Sequence, residues 1–161
     1  MTPHPRVGGT VPPCSSGATL AAMRRGLPGR FELDDDPARI DVKAVHRYLS
    51  EESYWAAERE LETVERLVRE AARVIGLYHD GAQIGFARAV TDGVAAAYLA
   101  DVYVLPDYRG QGLGEELLRE MVEHGSLANV RWLLHTRDAH ALYARLGFGP
   151  PGRRLMERQV G

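Results

Sequence analysis

At 161 residues, with 45% hydrophobic and 26% charged side chains, the chain has the size and composition of one globular domain with a sizeable core. A net charge of -2 argues against a bulk nucleic-acid binder, and the single cysteine, Cys14, excludes an internal disulfide framework and a multi-cysteine metal site. No apolar run approaches the length of a membrane span, so a soluble, cytoplasmic chain with neither membrane nor nucleic-acid partners is expected.

Residues 1–28 hold Pro3, Pro5, Pro12, Pro13 and Pro28 among several glycines, with no amphipathic period and no apolar signal-peptide core. A disordered leader is expected there, followed by one domain over residues 29–161, with Met23 a second candidate start. Phe31–Leu33 reads as a short strand. Asp34-Asp35-Asp36-Pro37 reads as a solvated turn, since the interleaved ligands and glycine of a carboxylate cage are missing, and no metal is expected. Asp41 is placed to cap a helix whose stripe is Val42, Val45, His46 and Leu49. A break at Glu51–Trp55 brings two large aromatics, Tyr54 and Trp55, together. A second helix follows through Leu61, Val64 and Val68, and its charges, with Glu58 and Arg59, read as a solvated face.

Val74–His79 and Gln83–Val90 flank Asp80-Gly81, a strong hairpin signal. Asp92-Gly93 then leads into Ala96–Val104, giving an antiparallel meander of three strands. That last strand runs into Arg109-Gly110-Gln111-Gly112-Leu113-Gly114 and a helix carrying Leu113, Leu117, Leu118 and Met121. A strand ending in glycines at a helix start leaves backbone N–H groups free at the positive end of the helix dipole, a natural phosphate cradle. It is not a dinucleotide fingerprint, because the third required glycine falls on Glu115, and it lacks the lysine and hydroxyl of a P-loop. Val130–His135 reads as a strand parallel to the one before the loop. Ala139–Phe148 reads as a short helix stopped by Gly147, with Asp138 as its cap, and Arg154–Arg158 as a closing edge strand.

Two patterns in this order, Arg109-x-x-Gly112-x-Gly114 and Ala139-x-x-x-Tyr143-x-x-x-Gly147-Phe148, resemble those of the GCN5-related N-acetyltransferase (GNAT) superfamily, from Phe31 to the C-terminus. The resemblance implies an α/β (α+β) fold, a mixed, mostly antiparallel central sheet of six to seven strands flanked by about four helices. It implies transfer of an acetyl group from acetyl-CoA to a primary amine of a small molecule or peptide, by direct attack on the thioester, and often a homodimer. By the same resemblance Arg109, Gly110, Gln111, Gly112, Leu113 and Gly114 hold the pyrophosphate. Val102 and Val104 pair with the pantetheine arm, a backbone N–H near Val104 faces the thioester oxygen, and Thr136 and Ala139 flank the arm. Thr136 stands where many relatives carry asparagine. Tyr143 sits by the sulfur as general acid or packs on the pantetheine. Tyr54 and Trp55 cover the acceptor or pack between helices. The amine's proton needs an acceptor, for which Asp101, His135 and His140 are candidates, Asp101 equally a partner for an arginine. The alternative is a catalytically degenerate acyl-CoA sensor or interaction module.

Overall fold

A computed structural model describes residues 22–158. Most of the expected leader, with Cys14, lies outside the described residues. Its end does not behave as a leader: β1 (Arg24–Leu27) pairs antiparallel with β2 (Phe31–Asp34), from Arg24↔Asp34 to Leu27↔Phe31. The domain therefore begins before residue 29. Four residues interrupted by Gly26 are too short for an alternation signal, and long-range partners hold the strand. Met23 N–H donates to Asp35 Oδ1 at 2.6 Å, and Arg25 bridges Glu116 and Glu120 at 3.0 Å each.

The remaining elements run α1 (Val42–Glu51), α2 (Leu61–Glu70), β3 (Arg73–His79), β4 (Ala82–Thr91), β5 (Ala96–Val104), α3 (Leu113–Glu123), β6 (Arg131–Leu133) and α4 (His140–Ala144). The six strands lie in chain order, antiparallel except for the parallel pair β5–β6. Asp80 and Gly81 make the expected tight turn, both with positive φ (49° and 83°). Asp41 caps α1 as expected, its Oδ1 accepting from Ala44 N–H at 3.0 Å. No strand forms at Arg154–Arg158, where Pro150, Pro151 and Gly152 precede a charged segment without alternating apolar positions. β6 is the sheet edge instead.

Each sheet face buries a helix layer. Leu117, Leu118 and Met121 of α3 pack with Leu33, Ile75, Leu77, Ala87 and Leu99 on one side, joined by Tyr143 of α4. Val45, Tyr48 and Leu49 of α1 and Val64 and Val68 of α2 pack with Val74, Phe86 and Tyr103 on the other. Burying side chains of this size contributes roughly 1.5–3 kcal/mol each. Leu99 and Tyr103 thus face opposite layers although an even spacing separates them. A bulge explains it: Phe86 faces Tyr103 and Arg88 faces Ala100, so β5 carries one residue more than β4, and Asp101 takes up the irregularity with φ of 50°. Among the described residues no helix is long and apolar enough to cross a membrane.

Candidate active site

The register between β5 and β6 stops after three pairs, at Tyr98↔Leu133. From Leu99 to Val104 the outer edge of β5 borders a groove of about 1000 Å³, closed at its ends by the glycine loop, α4 and the α1–α2 loop. Val102 and Val104 line it, as the β5 edge should if it is to receive an extended ligand.

Gly110 and Gly112 have φ of 76° and 78°, and nothing lies within 4 Å of where a Cβ would sit on either. Glycine is required there for its conformation, with open space left before the backbone. Gly112 begins α3 with no side chain capping it, so the helix start keeps free N–H groups. Glu115 and Glu116 of the first turn would repel an anion, but Glu115 pairs with Arg119 and Arg145 at 2.8 Å each and Glu116 with Arg25 at 3.0 Å. Gly110, Gly112, Leu113 and Gly114 line the groove, whereas Gln111 faces a second concavity beside Arg25 and Phe31. Arg109 is braced: Nε donates to the Val104 carbonyl and a terminal nitrogen to the Tyr48 hydroxyl, both at 2.9 Å. Tyr48 in turn stacks on Tyr103 with centroids 3.9 Å apart. The guanidinium thereby ties the loop to the end of β5.

α4 presents Tyr143 to the groove, buried against Phe148 with ring centroids 5.8 Å apart. Burial, with Tyr54, Asp138 and Tyr98 adding to it, pushes the Tyr143 phenol up to about 12. Thr136 and Ala139 line the groove, and the Thr136 hydroxyl accepts from Ala139 N–H at 3.1 Å. The cap expected of Asp138 does not form: α4 starts after Ala139 with no side-chain cap, and the Asp138 carboxylate takes Arg137 at 3.0 Å instead.

Asp101 reaches the groove fully engaged. Its Oδ2 accepts from Arg88 Nε at 2.6 Å, and its Oδ1 from Arg59 at 2.9 Å and from the Trp55 indole N–H at 3.2 Å. Burial alone would raise its pKa, but Arg88 and Arg59 outweigh burial and hold it below the ordinary carboxylate value. A carboxylate so held is a poor proton acceptor. Asp101 anchors two arginines and a tryptophan. His135 lines the groove, its Nδ1 2.8 Å from the Tyr98 hydroxyl and its Nε2 3.4 Å from Glu157. His140 is exposed and outside the groove lining.

The profile of the Acetyltransferase (GNAT) family matches residues 40–148, spanning α1 to the end of the Tyr143 segment. The chain belongs to this family. A GNAT-family protein of known structure from Xanthomonas campestris pv. campestris is 39% identical, with a TM-score of 0.77, over 84% of this chain and 96% of that one. FG08082 of Gibberella zeae, provisionally named an acetyltransferase, is 29% identical over 141 residues, covering 74% of this chain and 79% of that one. A structure from Deinococcus radiodurans, 24% identical with a TM-score of 0.61 over 84% of this chain and 94% of that one, shares the fold.

Within this GNAT domain both aromatics of the α1–α2 loop line the groove and remain partly exposed. The Tyr54 hydroxyl accepts from Arg137 N–H at 2.9 Å, and the Arg137 guanidinium lies over the Tyr54 ring at 3.7 Å. Tyr48, Tyr98, Arg59 and Arg88 belong to the site without having been singled out in the sequence. Arg88 had a visible signal, as the lone charge in the apolar run Ile84–Val90. Arg59 had none: the charge run that reads as one solvated face starts before α2, and Arg59 turns inward to Asp101. His46 sits at the α1–α2 junction, its Nε2 3.1 Å from the Arg59 carbonyl oxygen. Among the described residues, no group of three or more His, Cys, Asp or Glu could hold a metal ion.

Proposed function

We propose that this GNAT-family chain transfers an acetyl group from acetyl-CoA to a primary amine by direct attack of the amine on the thioester. The observation that carries the reading is the meeting, in one groove, of an open strand edge, an uncapped glycine-bearing helix start and a buried tyrosine. The residues present fit the donor. Gly110 and Gly112 leave backbone room for a pyrophosphate at the α3 N-terminus, with Gly114 in the first turn, and the first-turn acids there are neutralised in pairs. Val102 and Val104 line the groove where a pantetheine arm would lie along the edge of β5, with Thr136 and Ala139 beside them.

The thioester supplies an acyl carbon activated by a weakly basic leaving group. As the amine nitrogen bonds to that carbon, the carbon–sulfur bond breaks and its electron pair goes to sulfur. A backbone N–H near Val104 serves as donor to the carbonyl oxygen while it carries charge. Tyr143 keeps its proton at neutral pH and donates a hydrogen bond to the departing sulfur. Full transfer would be uphill, because a phenol at about 12 is a weaker acid than a thiol near ~8.5. The proton lost by the amine passes to His135, the groove's histidine, with Tyr98 fixing its ring.

Acetyl-CoA-dependent thiol release across a panel of primary amines tests the proposal. Turnover with at least one amine, strongly reduced in Tyr143→Phe, is the expected result. Tight acetyl-CoA binding without turnover on any amine would replace the enzyme with an acyl-CoA sensor.

A further inference from the structure

The groove's inner wall is not electrically balanced. Arg59 and Arg88 both line it, with side chains only 22% and 9% exposed, and both pair with the single carboxylate of Asp101. The three groups together carry one net positive charge. A guanidinium has five N–H donors in a rigid fork, and each arginine gives Asp101 one bond. An uncompensated charge held largely out of water is costly to the fold. The backbone at Asp101 is also in the left-handed region, at φ 50°, which a side-chain-bearing residue adopts at some expense. That strain aims the carboxylate at both arginines and at Trp55.

We infer that this wall binds an anionic group of the acceptor, and that the acceptor is an amine that also carries a carboxylate. Arg59 and Arg88 supply the spare guanidinium donors, Asp101 fixes their planes, and Trp55, held by its indole N–H on the same carboxylate, packs against the carbon skeleton. One surplus positive charge matches a monoanion, and the neighbouring Asp101 disfavours a doubly charged phosphate. The inference rests on the proposed acyl transfer at this groove and narrows its acceptor class.

Two measurements test it. The first compares amino acids with their own carboxamides as acceptors. The carboxylate form is expected to be favoured by about tenfold or more in kcat/KM, as charge-assisted bonds of this type would give, with the ratio falling toward one in Arg59→Met and partly kept in Arg59→Lys. A ratio near one in the unaltered protein, or an undiminished ratio in Arg59→Met, overturns the inference while leaving acyl transfer standing. The second needs no turnover: the amino acids, and not their carboxamides, are expected to raise the melting temperature of the unaltered protein at constant ionic strength. Equal shifts from both, or none from either, overturn the inference. Failure of acetyl-CoA itself to shift the melting temperature counts against the donor site instead, so the two failures are told apart.

Discussion

Tyr54 and Arg137 clasp one another across the groove: the tyrosine hydroxyl accepts from the arginine's backbone N–H at 2.9 Å while its ring lies 3.7 Å beneath the guanidinium. The α1–α2 loop and the β6–α4 loop are thereby joined over one end of the groove. Tyr54→Phe removes the hydroxyl and keeps the stacking. Losing one hydrogen bond of about 1 kcal/mol should raise the acceptor KM roughly fivefold, with acetyl-CoA affinity unaltered. Steady-state kinetics with each substrate varied in turn check this.

Tyr143→Phe should lower kcat by about 100-fold, the lower range for a group assisting a leaving atom. Because the phenol is pushed up to about 12, its deprotonation does not shape the rate profile near neutrality. A kcat profile whose alkaline limb below pH 10 survives in Tyr143→Phe fits this. The same shift has a consequence for stability: the folded chain holds that proton more tightly than the unfolded chain does. Its contribution is therefore complete below pH 10 and is lost as pH rises toward about 12, with Tyr78 acting in the same direction. Denaturant titrations at successive alkaline pH values should show stability falling across that window.

Asp101→Asn strips the charge that two arginines share and should cost about 3 kcal/mol of stability at pH 7, as breaking a buried pair does. The folded carboxylate titrates below its ordinary value, so its contribution is present above about pH 4 and fades as pH falls through the lower folded value. The stability gap between the unaltered protein and Asp101→Asn should accordingly narrow below pH 4, which urea melts in acid buffers will read.

Gly112→Ala places a Cβ in open space but at φ of 78°, so its cost is conformational, roughly 1–2 kcal/mol. If the loop relaxes to relieve this, its N–H groups turn away. Acetyl-CoA affinity should then weaken more than the melting temperature falls. Calorimetric titration beside a thermal melt separates the two effects.

Arg73 should matter as much as any core residue, although nothing in its local sequence marks it. It donates to the carbonyl oxygens of Glu120 at 2.9 Å and His124 at 2.8 Å, ending α3, and pairs with Asp35 at 3.1 Å. Arg73→Met should destabilise the domain by about 3 kcal/mol or more and leave acetyl-CoA affinity of the folded fraction unchanged.

What could be read in advance followed from how local the signal is. The Asp80-Gly81 hairpin, the Asp41 cap and the glycines of the loop are decided by neighbouring residues, and the chain shows them directly. The parallel strand was legible in type, though its pairing covers Arg131–Leu133 alone. β1 was not legible, because four residues carry no period and the side chains that fix Arg25 to α3, Glu116 and Glu120, are distant. The Asp101 cluster was hidden for a related reason. Trp55, Arg59, Arg88 and Asp101 come from a loop, the approach to α2 and two strands, and a bulge decides which way the aspartate faces.

The early parting of β5 from β6 means that the groove is present without any element having to move. Ligand entry should then act like the addition of a missing strand. Amide hydrogens on the free edge between Leu99 and Val104 should exchange more slowly with solvent deuterium once acetyl-CoA is bound, while those of β3 and the middle of α3 keep their rates.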